Sequence, residues 1–188
     1  MDDHRQRAAV SDDFKASGGK SLKGEVDGVD LAILEALQAN GRQPLSELAR
    51  QIGMSQPSVS ERVKRLEERG VITGYGARID PTRLGLPMMA VIRLRTTHEH
   101  IRACLDRFAA MPEVIEAHRL TGEDCFLLKV IVPTPGDLET LVDGVARFGP
   151  VTTSLVLRSE PPKAIGRALV RKADRKSTRL NSSHVLIS

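Results

Sequence analysis

Between Ser55 and Arg69 the chain concentrates side chains suited to binding a polyanion. There are hydroxyls at Ser55, Ser58 and Ser60, an amide at Gln56, and four cations, Arg62, Lys64, Arg65 and Arg69, within eight residues. Hydroxyls and amides hydrogen-bond base edges and phosphates, and long cations reach the phosphate backbone or a guanine edge in a major groove. To act together they must share one helical face. At about 100° per residue, Val59, Val63 and Leu66 gather into a seam for burial, and the opposite side carries Pro57, Glu61 and Lys64, flanked by Ser58, Ser60 and Arg65. Arg62 falls beside the seam, which suits phosphate contact or helix anchoring better than base reading. The candidate DNA-binding set is therefore Ser55, Gln56, Ser58, Ser60, Glu61, Arg62, Lys64 and Arg65.

A second helix has to brace this one. Leu45, Leu48, Ala49 and Ile52 follow i, i+3, i+4, i+7, and Gly53 is placed as a left-handed stop. Ser55 then caps the next helix, Pro57 is tolerated in its first turn, and Gly70 ends it. The result is a helix-turn-helix. Upstream, Asp27 with Asp30 three residues on starts a helix whose Val29, Ile33, Leu34 and Leu37 share a face and which stops at Asn40-Gly41; it should roof the other two. Downstream, VITGYGARID intersperses Val71, Ile72, Tyr75 and Ile79 with glycines, as a short extended wing or a connector does.

The net charge of +4 is not evidence for a nucleic-acid partner. Residues 25–80 come to −2 and 81–162 to −1, while 163–188 come to +6, so only the local clustering on the second helix supports DNA binding. Cys104 and Cys125 form no CxxC pair and no disulfide framework. Without a signal-peptide core or a run of roughly 18 apolar residues, a cytoplasmic location and no membrane partner are expected.

Residues 25–86 also carry a resemblance. VDGVDLAILEALQANGR, SELARQIGMS and ERVKRLEERGVITGYGARIDPTRLGL, in that order and spacing, resemble the Lrp/AsnC, or feast/famine, family of transcription regulators. The resemblance implies that Ser55–Arg69 is the recognition helix, and that a small-molecule effector, most plausibly an amino acid, is sensed by a second domain that also oligomerises. Two other classes stand beside this reading: a sirohaem decarboxylase, since such enzymes resemble the family in both domains, and a low-specificity architectural DNA binder.

The second half changes period. PMMAVIRLRTT alternates, with Ala90, Ile92 and Leu94 facing inward and Met89, Val91 and Arg93 outward. A helix capped by Thr97 through Ile101, Leu105, Phe108 and Ala109 follows, then strands around 114–120 and 125–132, a helix from Gly136-Asp137, and a strand over 151–157. The order βαββαβ predicts a ferredoxin-like domain, and the whole chain is expected to be α+β, an N-terminal winged helix-turn-helix followed by this domain. Its divisions are an unstructured extension (1–24), the DNA-binding domain (25–75), a linker (76–86), the ferredoxin-like domain (87–162), a basic tail (163–173), and a stretch (174–188) that back-translates to a sequencing adapter and reads as non-native.

The effector is expected where the Leu120–Asp124 turn meets a neighbouring subunit. Gly122 allows close backbone approach, Asp124 suits an ammonium group, and Thr152, Thr153 and Ser154 offer hydroxyls; Leu120 and Thr121 complete the set. The family often shows an acidic residue and then an aromatic in this strand, whereas this chain has Cys125-Phe126. Cys125 reads as a small hydrophobe or as a ligand or redox contact. No GxSxG, P-loop, HExxH or paired-carboxylate spacing is found, so neither catalytic residues, a metal nor a cofactor is expected. Homodimers or larger assemblies on double-stranded DNA are.

Overall fold

The computed structural model describes residues 26–172. The expected extension (1–24) and non-native stretch (174–188) lie outside the described residues. The described residues divide into two compact units, one made of 26–76 together with 163–172, the other of 77–162.

In the first unit, α1 (Gly28–Ala39) starts on Asp27. The Asp27 carboxylate accepts from the Val29 and Asp30 amides, and Asp30 returns the bond to the Asp27 amide. The expected cap is present in its reciprocal form. Helix α2 (Leu45–Ile52) stops at Gly53, whose φ of 74° is left-handed, and α3 (Gln56–Glu68) starts on Ser55. Ile33, Ala36, Leu48, Ala49, Val59, Val63 and Leu66 form the core, with Ile72 packed against it. The amides of Val71 and Ile72 both donate to the Leu66 carbonyl, which turns the chain sharply at the end of α3. Residues 73–80 then run without a ladder partner. The wing segment is extended and unpaired here, because Gly74 and Gly76 leave little side chain to pair across a strand.

The second unit is a four-stranded antiparallel sheet in the order β2-β3-β1-β4, formed by β1 (Met88–Leu94), β2 (Val114–Arg119), β3 (Phe126–Val132) and β4 (Val151–Leu155). Helices α4 (Ile101–Ala109) and α5 (Pro135–Ala146) complete the ferredoxin-like order. Ala90, Ile92 and Leu94 are fully buried as the alternation requires, against Phe126, Leu128, Val130 and Val132, and Phe108 meets Phe126 edge-on at 5.2 Å. Two helix starts differ from expectation. A short 3₁₀ turn, His98–His100, intervenes after Thr97, whose hydroxyl contacts His100 Nδ1 rather than a backbone amide. Helix α5 begins at Pro135 because Thr134, accepting from the Asp137 amide, is its cap. Gly149 (φ 145°) lies so close to the Arg95 carbonyl that a Cβ would sit 2.2 Å from its oxygen, so the approach to β4 demands glycine.

Candidate nucleic-acid interface and effector turn

The separation of a buried seam from an exposed polar face predicted on α3 is present. Val59, Val63 and Leu66 are buried, while Ser55, Gln56, Ser58, Ser60, Glu61, Lys64 and Arg65 are all exposed. Two hydroxyls are partly committed: Ser55 Oγ and Ser58 Oγ lie 2.7 Å apart, and Ser55 also accepts from the Ser58 amide at 3.4 Å. Lys64 leans toward Glu68 at 3.7 Å with both side chains well exposed, a contact weak enough to be exchanged for a phosphate.

Arg62 is the exception. Its Nη1 lies 2.7 Å from both Asp27 Oδ2 and Asp30 Oδ1, and its side chain is only 22% exposed. Of the two roles read from the sequence, the geometry gives it anchoring: Arg62 fastens α3 to the start of α1 and is not available on the exposed face. The Asp27 carboxyl is held below its usual range first by the Asp30 amide and then by Arg62, and the guanidinium is raised by the same two carboxylates. Tyr75, just past the helix-turn-helix, donates to Glu67 at 2.8 Å, and partial burial followed by that carboxylate pushes its phenol up to about 12.

In the second unit the turn between β2 and β3 has Gly122 at a left-handed φ of 107° and is closed by the Leu120 amide donating to the Cys125 carbonyl. Asp124 is already matched with a cation, Arg93 Nη1 at 3.5 Å, and Glu123 pairs with Arg95. Thr152 stands opposite Arg93 and Ser154 opposite Val91, on the sheet face away from the helices. Thr153 stands opposite the buried Ile92 and so belongs to the other face. Asp124, Thr152 and Ser154 thus share a face, and Thr153 leaves the set. Arg93, which sequence reasoning placed outward but gave no role, supplies what an amino acid's carboxylate needs. A lone charge on an otherwise apolar alternation was the available signal. Cys125 is half-buried, its thiol donating to the Thr96 carbonyl at 3.0 Å; Cys104 is fully buried, and burial pushes its thiol up. Among the described residues there is no cluster of three or more side chains able to hold a metal, and no helix long and apolar enough to cross a membrane.

Comparison with known proteins agrees with this arrangement. Residues 26–73 match the winged helix-turn-helix DNA-binding family, and residues 89–163 match the Lrp/AsnC ligand binding domain. The chain is 40% identical to the HTH-type transcriptional regulator YezC of Bacillus subtilis over 136 residues, which cover 71% of this chain and 95% of YezC. The structure of LrpC from the same organism superposes with a TM-score of 0.70 at 27% identity, covering 74% of this chain and 99% of LrpC. The regulator NMB0573 of Neisseria meningitidis, solved as a complex with L-Met, does so at 0.68 and 27% identity, covering 75% of this chain and 95% of its own. With the helix-turn-helix, the ferredoxin-like sheet and these likenesses together, the chain belongs to the Lrp/AsnC family of transcriptional regulators.

Proposed function

We propose that this chain is a cytoplasmic, non-enzymatic regulator that binds operator DNA through the exposed face of α3 and shifts its DNA affinity or assembly when an amino acid binds near the β2–β3 turn. The observation that carries the DNA half is the segregation on α3: a buried Val59-Val63-Leu66 seam, and opposite it hydroxyls and cations with no packing duty. A helix of this composition, braced by a second helix and turned by a left-handed glycine, suits a major groove. Ser55, Gln56, Ser58, Ser60, Glu61, Lys64 and Arg65 are the contacts, and Arg62 sets the helix's angle rather than touching DNA.

The effector half rests on complementary charge. Arg93 and Asp124 form a partly exposed cation and anion 3.5 Å apart, and an amino acid carries one group for each. Thr152 and Ser154 share their sheet face, and the L-Met complex of the Neisseria relative lends support. That same face, with Met89, Val91, Leu127 and Ile131 uncovered by helices, is the surface for homodimers. Two recognition helices then read half-sites about one helical turn, roughly 10 base pairs, or a multiple of it, apart. Selection of bound genomic fragments in the presence of competitor DNA tests the reading. Enrichment of one two-fold motif is expected; uniform recovery of fragments would reduce the protein to an architectural binder.

A further inference from the structure

The charge pattern makes residues 163–173 a basic tail, but the structure does something else with 163–172. The segment returns to the first unit and lies along α1. Gln38 holds Ile165 with both ends of its amide: Oε1 accepts from the Ile165 N–H at 2.8 Å and Nε2 donates to the Ile165 carbonyl at 3.1 Å. One turn earlier on α1, Glu35 accepts from the Arg167 amide at 2.8 Å, and the Arg167 guanidinium donates to the Gly28 carbonyl at 2.9 Å. Gly166 sits between the two anchors, where a Cβ would stand 2.8 Å from Glu35 Oε1. Beside it runs an open groove of about 850 Å³, walled by the small residues Ala32, Ala36 and Ala39 of α1 and closed at one side by Arg167.

We propose that the outer face of α1 is the docking site for the chain's own residues 163–172, a reversible C-terminal strap that closes the DNA-binding unit. The occupant follows from the bonding. Gln38 reads backbone, Glu35 reads a backbone amide flanked by a cation, and the glycine between them lets Glu35 approach closely, a combination met by Ile165-Gly166-Arg167. Reversibility follows from what is left out: Ile165 and Leu169 remain 63% and 59% exposed, so polar contacts near water hold the strap and little apolar burial does. The strap also reaches the recognition helix indirectly. Gly28 adjoins Asp27, which holds Arg62 of α3, so the Arg167 guanidinium bonds one residue away from the carboxylate that anchors α3.

Residue-resolved hydrogen exchange on the full chain is the test, comparing wild type with Glu35→Ala/Gln38→Ala. Both substitutions lie outside the core and favour helix, and the Ile33 amide reports whether α1 stays folded. The Ile165 and Arg167 amides should exchange about tenfold more slowly than an unstructured segment in wild type, and at the unstructured rate in the variant with Ile33 unchanged. Unprotected amides in wild type, or protection that survives in the variant, overturn the proposal. Protection that fades on dilution to monomer would assign the strap to a second copy and overturn the intrachain docking. If the variant loses Ile33 protection, Arg167→Gln, which leaves α1 untouched, decides by the same readout at Ile165.

Discussion

Replacing Arg62 by alanine separates an anchor from a DNA contact, because an anchor costs stability in the absence of DNA. Arg62 bridges two carboxylates of unequal exposure: Asp30 with its side chain 7% exposed and Asp27 with its side chain 53% exposed. Removing one partner of a fully buried pair costs roughly 3–5 kcal/mol, while an exposed pair contributes under about 1 kcal/mol. Asp30 keeps the Asp27 amide as a partner, which offsets part of the loss, so Arg62→Ala should lower stability by about 2 kcal/mol. The assay is urea unfolding of the free protein in a cycle with Asp30→Ala, where the coupling should be at least about 1 kcal/mol. A loss under about 0.5 kcal/mol, combined with weakened DNA binding, would refute the anchoring role and return Arg62 to the phosphate contacts.

Further outcomes follow from the same contacts. The fragment 80–162 should be at least dimeric by light scattering at micromolar concentration, since its outer sheet face carries Met89, Val91, Leu127 and Ile131; a monomer would remove that face as the interface. Calorimetry with a panel of amino acids should give heat for at least one, and Asp124→Ala should weaken it; heat from none would remove the amino-acid effector, while equal affinity would remove only Asp124. The acid limb tests the Asp27 cap. Its carboxyl is lowered below 3.8 on folding, so its stabilisation is fully present above the unfolded value and is lost as pH falls through the folded one. Asp27→Asn should therefore flatten the fall in stability below about pH 4 while changing little of its shape above pH 5; an unaltered acid limb would contradict the contact.

The sequence made local periodicity legible and left long-range pairing hidden, and particular residues show why. The seam of α3 and the inward set of β1 follow from 3.6- and 2-residue spacing, which burial obeys without reference to the rest of the chain. Arg62 stood beside the seam on the wheel, but its partners lie 32 and 35 residues away, and no local pattern names them. Arg93 and Asp124 meet only because the sheet order places β3 between β2 and β1. Thr153 reads like its neighbours because β4 is Val-Thr-Thr-Ser-Leu, polar in the middle on both faces, so the phase of the alternation is invisible until β4 is registered on β1. The C-terminal strap was hidden for a different reason. Its charges lie on side chains, whereas the segment is held largely through the backbone of Ile165 and Arg167.

Whether the exposed face of α3 reads DNA is decided by titration of a selected operator fragment with Lys64→Ala and Arg65→Ala at matched salt. Both side chains lie off the buried seam, so the variants should melt at the wild-type temperature and show wild-type circular dichroism. Each should bind more weakly by roughly 1–3 kcal/mol where the lost contact was bidentate to a base, and less, with a shallower salt dependence, where it was to phosphate. Wild-type affinity in both variants, with the fold intact, would remove the exposed face of α3 as the DNA contact.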